Sequence, residues 1–264
     1  MWALCYSYLV DRYLAKGHIV KQRSSTSSRT ALITGASRGL GFALAAHLAR
    51  RGRSLVIDAR TGSDLSDAAH ALRELTDGTV IAIDGDITDP HHAAALVAAA
   101  EDLGNLDLLV NNASTLGPSP LPSLADYPIA ALARVHEVNV AAPLRLIQLA
   151  LPSLRRAGGT IVNVTSDAAI EAYEGWGGYG SAKAALEQLS NVLAHEEPEV
   201  RVLWVDPGDM NTRMHQEAFP GQDISDRPRP EERVTALAAL VDSDAPSGRY
   251  TVSKLLADTQ RGAA

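Results

Sequence analysis

Seven short runs of apolar, largely β-branched residues recur between residues 30 and 252, separated by alanine- and leucine-rich stretches of helical character. The runs are TALIT (30–34), SLVIDA (54–59), TVIAID (79–84), DLLVNN (107–112), TIVNVTS (160–166), VRVLWVD (200–206) and RYTV (249–252). This alternation is what repeated βα units require, and it predicts a parallel sheet. The runs are nearly continuous in their apolar character, so both faces of the sheet must be covered by helices. The expected fold is α/β, a doubly wound seven-stranded parallel sheet. A chain of 264 residues, 46% of them hydrophobic, fits one such domain. No internal repeat or second core is evident.

Ligands of such sheets lie beyond the carboxyl ends of the strands, so the residues just after each run come first. After the first run stands TGASRGLG (34–41), which leads into the helical stretch FALAAHLARRG. Gly35, Gly39 and Gly41 allow a sharp turn and a close backbone approach, and the helix start behind them offers free N–H groups and a positive dipole end to a pyrophosphate. The glycine spacing departs from G-x-G-x-x-G, and an ordinary tight βα loop would read similarly; the strand before it and the helix after it favour nucleotide binding. Further along, YGSAK (179–183) places a phenol and a primary amine four positions apart. On a helix Tyr179 and Lys183 share one face, and a neighbouring ammonium favours the phenolate. Taken alone, the pair fits a surface helix with a tyrosine and a snorkelling lysine.

The motifs TGASRGLG, NNAS (111–114), Asn139 in VNVAAP, Ser166 in NVTSDAA, YGSAK and DPGDMNTRM (206–214) stand in an order and spacing that resemble the short-chain dehydrogenase/reductase family, single-domain branch, over roughly residues 29–252. The resemblance implies a Rossmann-type fold and an NAD(P)-dependent oxidoreductase acting on a carbonyl or alcohol of a small molecule. It implies an Asn139-Ser166-Tyr179-Lys183 tetrad. In it Tyr179 is the general acid/base, Ser166 orients the substrate oxygen, Lys183 tunes the phenol and holds the nicotinamide ribose, and Asn139 shapes a helix and holds a relay water. It also implies a cofactor site formed by Gly35, Ser37, Arg38, Gly39, Leu40, Gly41, Arg60, Asp86, Ile87, Asn112, Ala113, Tyr179, Lys183, Pro207, Gly208, Met210 and Thr212. Within that site Asp86 meets the adenine, while the backbone around Met210 and the Thr212 hydroxyl meet the nicotinamide carboxamide. Asn111 supports the central strand, and Ser114 replaces a glycine of the family pattern.

The choice of cofactor turns on the end of the second run, LVIDAR. An acid there binds a ribose 2′-OH and selects NAD, whereas arginine accommodates the 2′-phosphate of NADP. In the family alignment the NAD-selecting position falls on Ala59 and the NADP-type arginine on Arg60, with Arg38 as a second basic group; guanidinium matches phosphate in a bidentate way. NADP is therefore expected, and Asp58 keeps NAD open. The substrate pocket is expected between residues 171–178 and a mobile segment from Asn211 to about Pro230. Tyr173, Trp176, Met214 and Phe219 there suit an apolar or aromatic substrate or simply pack the lid. The chain end, PSGRYTV followed by SKLLADTQ, departs from the family's usual closing motif.

A formal net charge of -7 argues against nucleic acid or an anionic membrane as main partner. The single cysteine, Cys5, gives no internal disulfide and no cysteine-rich zinc site, and the eight histidines show no metal-ligand grouping. A cytoplasmic setting fits this composition. The apolar opening MWALCYSYLV ends at Asp11 and Arg12, too short for a membrane span and without the flanks of a secretory signal. Residues 1–28 read as an N-terminal extension before the domain at 29–264, a possible amphipathic helix with a flexible serine-rich exit. The family resemblance further implies a homodimer built on helices around 131–156 and 179–196. A second function class stays open, a non-catalytic dinucleotide-binding sensor on the same fold.

Overall fold

The computed structural model describes residues 29–262. The extension expected over residues 1–28 lies outside the described residues. The elements run β1 (Arg29–Ile33), α1 (Gly39–Ala49), β2 (Ser54–Ala59), α2 (Gly62–Arg73), β3 (Val80–Asp84), α3 (Pro90–Asp102), β4 (Asn105–Asn111), α4 (Ile129–His136), α5 (Ala142–Ala157), β5 (Thr160–Val164), α6 (Gly177–Glu196), β6 (Arg201–Asp206), α7 (Arg213–Ala218), α8 (Pro230–Asp242), β7 (Gly248–Thr251) and α9 (Val252–Gly262). All seven strands are parallel and ordered β3-β2-β1-β4-β5-β6-β7. The strand boundaries fall within two residues of the seven apolar runs. The chain order reverses between β1 and β4, so these two strands open a crevice at their carboxyl ends.

Alternation along each strand divides the core into two layers. Ala31, Ile33, Leu55 and Ile57 face the side covered by α1, α2 and α8, whereas Leu32 and Val56 face α3 and α5. Leu32 and Ile33 are fully buried, and each such side chain contributes about 2 kcal/mol relative to exposure. Opposite Thr30 and Ala31 the register on β4 jumps from Leu106 to Leu108, skipping Asp107. That bulge leaves the Asp107 carboxylate beside Arg29 and Arg53 at the amino edge of the sheet, away from the crevice.

Local chemistry explains the helix ends. Asp89 caps α3 by accepting the His91 N–H at 2.8 Å, with Pro90 at the first helical position. Gly158, at φ 55°, closes α5 in the left-handed conformation after Arg155 and Arg156 in the last turn. The helix expected over 131–156 is interrupted. Between α4 and α5, residues Glu137–Ala141 form a π-helical turn in which the Ala142 N–H reaches back five residues to the Glu137 carbonyl. Pro143 has no N–H to give the carbonyl four residues before it, that of Asn139, so regular α-helical bonding fails there. Among the described residues no helix is long and apolar enough to cross a membrane.

Candidate active site

The carboxyl ends of β1, β2, β4, β5 and β6 converge on one cleft of about 940 Å³. It is lined by every residue expected at the cofactor site except Gly41, and by Ser166; Asn139 and Gly41 do not line it but touch residues that do, Ser114 and Thr115 for Asn139 and Gly35 and Asn112 for Gly41. Two glycines of the β1–α1 turn are set by sterics. Gly35 lies at φ 64°, and a Cβ there would come within 2.9 Å of the Ala113 Cα; a Cβ on Gly41 would come within 2.5 Å of the Asn112 side chain and 2.6 Å of the Gly35 carbonyl. The Asn112 amide holds that turn by donating to the carbonyls of Thr34 at 2.8 Å and Gly35 at 3.0 Å. At the start of α1, Arg38 supplies no side-chain cap and no acidic residue occupies the first turn. The helix thus presents uncapped N–H groups to the cleft, a cradle suited to a dinucleotide pyrophosphate.

Asp58, at the end of β2, is 2% exposed and has both carboxylate oxygens engaged. One accepts the Gly35 N–H at 2.7 Å and the other lies 3.1 Å from Nε2 of His92. Its side chain braces the glycine turn, and Asp58 also lines the cleft. Ala59 follows it, and Arg60 stands exposed at the cleft rim with no side-chain partner among the described residues. Arg38 forms an ion pair with Asp64 on the same rim. At the end of β3, Asp86 accepts from the backbone and hydroxyl of Thr88 and pairs with Arg134 of α4. Burial pushes this carboxyl upward, but the Thr88 and Arg134 hydrogen bonds outweigh it and hold the group below its ordinary range.

At the other end of the cleft, α6 presents Tyr179 and Lys183 one turn apart. Lys183 is 2% exposed, donates to the Val164 carbonyl at 2.7 Å, and lies 5.4 Å from the centre of the Tyr179 ring. Burial pushes its ammonium down to about 8, against a smaller opposing pull from Glu187. The Tyr179 phenol is raised above its ordinary value, chiefly by burial and further by the Asp206 and Asp167 carboxylates, while the Ser114 and Ser166 hydroxyls pull it the other way. Burial, and not the neighbouring ammonium, thus sets the direction of the phenol's shift in this arrangement. The ammonium is turned to a strand carbonyl beneath the ring, and burial dominates.

Asn139, inside the π-helical turn, accepts the Thr115 N–H at 2.9 Å and the Ser114 hydroxyl at 3.1 Å, and donates to the Thr115 carbonyl at 2.9 Å. It fixes the segment that follows β4, and Ser114 links it to the phenol. Ser166 donates to Oδ1 of Asp167 at 2.9 Å and accepts the Ala168 N–H at 3.1 Å. Behind it, Glu187 accepts from Thr165 at 2.8 Å and Arg249 at 2.9 Å, and Asp206 accepts the Gly208 N–H at 2.8 Å. The Thr212 hydroxyl caps α7 by accepting the His215 N–H at 3.2 Å. Trp176 packs edge-on to Tyr179 at 5.7 Å and against Phe219 at 6.0 Å, so the aromatic residues of the two wall segments form one small cluster.

Four residues of the site escaped the sequence reading: Ser114 as a partner of the phenol, Asp167, Arg134 and Arg249. Asp167 carried a signal, since it adjoins Ser166. Arg134 and Arg249 carried none, because they reach Asp86 and the Ser166 carbonyl across 48 and 83 residues of chain.

Comparison with known proteins is consistent with this geometry. A family model described as short chain dehydrogenase matches residues 29–223. An uncharacterized oxidoreductase of Saccharomyces cerevisiae is 30% identical over 226 residues, covering 83% of this chain and 87% of its own. Sepiapterin reductase of Mus musculus is 34% identical over 197 residues, covering 70% and 76%. Among solved structures, an alcohol dehydrogenase from the archaeon Thermococcus sibiricus complexed with 5-hydroxy-NADP superposes with a TM-score of 0.77 at 28% identity, over 85% of this chain and 95% of that one.

Proposed function

The chain belongs to the short-chain dehydrogenase/reductase family, and from that premise we propose that it is an NADP-dependent carbonyl reductase or alcohol dehydrogenase of a small organic molecule. The observation that carries this reading is the placement of Tyr179, Ser166 and Lys183 at one end of a cleft whose other end is the uncapped start of α1. When bound, the dinucleotide supplies hydride transfer at its nicotinamide. The chain's own part is binding and proton chemistry. The N–H groups at the start of α1 hold the pyrophosphate, Asp86 and Ile87 flank the adenine, and Pro207, Gly208, Met210 and Thr212 border the nicotinamide end. Tyr179 gives its proton to a carbonyl oxygen, or takes one from an alcohol, and Ser166 orients that oxygen. Lys183 holds the ribose and, charged, lowers the phenol as it turns from the Val164 carbonyl. The Asn139 carbonyl, given no N–H by Pro143, holds the water through which the proton reaches solvent.

NADP is favoured over NAD by the small Ala59 at the selecting position, by Arg60, which has no side-chain partner among the described residues, and nearby Arg38, and by the engagement of both Asp58 oxygens. The composition supports a cytoplasmic setting, and the exposed Leu149 on α5 and Val192 on α6 support a homodimer through those helices. The test is a panel of ketones, aldehydes and alcohols with NADPH and NADH, followed by absorbance of the reduced nicotinamide. Turnover with NADPH preferred is expected, and Arg60→Ala should weaken NADPH while sparing NADH. Equal loss for both cofactors would overturn the cofactor assignment, and no turnover across the panel would overturn the activity.

A further inference from the structure

We propose that the substrate carries a hydroxyl or amino hydrogen-bond donor on the carbon beside its reacting carbonyl, or one carbon further along, and that Asp167 recognises this donor. The inference rests on the oxidoreductase reading above and names the substrate class of that same site. Ser166 has a single hydroxyl proton, and it goes to Oδ1 of Asp167 at 2.9 Å. The Ala168 N–H lies between the two groups, donating to the Ser166 oxygen at 3.1 Å and to Asp167 Oδ1 at 2.8 Å. The Tyr173 hydroxyl donates to the other carboxylate oxygen at 3.0 Å. So held, the Ser166 hydroxyl, which also lies against the Tyr179 phenol, has its one proton engaged by the Asp167 carboxylate and must turn from it to serve another acceptor.

A carbonyl oxygen entering the site therefore competes with a carboxylate for the Ser166 proton. Hydrogen bonds to an ionised acceptor are about twice as strong as neutral ones, so a plain ketone loses that competition and meets Tyr179 alone. A substrate with its own donor changes the outcome. Its hydroxyl or amine donates to Asp167, the Ser166 hydroxyl turns to the reacting oxygen, and every polar group is satisfied. The short Ser166–Asp167 separation sets the spacing, because the two substrate groups must bind side by side, as on adjacent or next-adjacent carbons.

The rest of the cleft agrees. Asp206 is a second carboxylate on its wall, only 7% exposed, and both acids raise the Tyr179 phenol. Lys183 is held by the Val164 carbonyl and Arg213 by Glu217, while Arg249 is shared between Glu187 and Asp206, 3.7 Å from the latter, and leaves Asp167 as the carboxylate beside Ser166 without a cation among the described residues. A protonated amine is welcome in such a field, whereas a carboxylate beside the reacting carbon is repelled. Leu116, Trp176 and Met214 leave an apolar wall for the remainder of the molecule.

The experiment compares matched pairs with NADPH: a hydroxyketone against its methyl ether, an aminoketone against its N-acylated, N-methylated form, and a keto ester against the keto acid. The donor-bearing member should win in kcat/KM by about tenfold or more, the range of one hydrogen bond to a charged group. In Asp167→Asn and Asp167→Ala the ratio within each donor pair should collapse toward unity, and the keto acid should gain relative to its ester. Quenching of tryptophan fluorescence in the cofactor-free protein, with Trp176 in the cleft wall, gives a binding readout that should follow the same order. Turnover of plain ketones with no preference within the pairs in the unsubstituted protein overturns this inference and leaves the activity standing. Absence of turnover on every carbonyl overturns the activity reading, and with it this one.

Discussion

Tyr179 and Lys183 lie one helical turn apart, yet burial moves them in opposite directions, raising the phenol and lowering the ammonium to about 8. Tyr179→Phe removes one oxygen and little volume. Turnover should fall by about 10²–10⁴-fold, the usual loss of a general acid, while NADPH affinity measured by fluorescence stays near that of the parent. Unchanged turnover would sink the proton-transfer role. Lys183 makes the converse point about stability. Its pKa in the folded chain lies below the ordinary lysine value of 10.5, so between about 8 and 10.5 the unfolded chain binds more protons and stability rises with pH; below 8 the full destabilisation is present. The depression corresponds to about 3 kcal/mol. Lys183→Met should therefore raise the melting temperature at pH 7 by roughly 5 °C after the lost bond to the Val164 carbonyl is allowed for, and the advantage should shrink toward pH 10. A midpoint lowered at pH 7 would show that this bond outweighs the buried charge.

At the scale of elements, the β1–α1 turn and the π-helical turn before α5 are held by side chains from other strands and helices. The first depends on Asn112 and on the Asp58–His92 pair, and it has no room at Gly41. Gly41→Ala should destabilise the protein by about 1–3 kcal/mol, because the new methyl meets backbone as well as the Asn112 amide, and it should weaken NADPH and NADH alike by displacing the turn. Calorimetric unfolding and titration with both cofactors check this, and undiminished affinity would show that the turn does not hold the dinucleotide. The second turn was invisible as a π-turn in the sequence. Pro143 was there to be read, but a proline near a helix start ordinarily begins a new helix, and only the grip of Asn139 on Thr115 shows why this one bulges instead.

For the whole molecule, the crossover between β1 and β4 gathers residues far apart in sequence into one cleft and leaves α5 and α6 with apolar residues facing outward. Leu149 is 38% exposed and Val192 41% exposed. A dimer through these helices is the expected assembly, and Leu149→Arg combined with Val192→Arg should convert it to a monomer in sedimentation experiments. A parent protein that already sediments as a monomer would remove the interface.

The amino-acid sequence by itself determined the number and direction of the strands, the dinucleotide turn and the Tyr179–Lys183 pair. All of these depend on short-range regularities: apolar runs, glycine spacing, and the four-residue period of a helix. Only the tertiary structure decided what those groups experience. Asp58 is an acid at the end of the second strand, and only the fold shows that Gly35 and His92 engage both its oxygens. Ser114 looked like a small departure in a loop until the fold set it between Asn139 and the phenol. Burial, desolvation and the direction of a single hydroxyl proton depend on neighbours brought together by folding, and no local pattern records them.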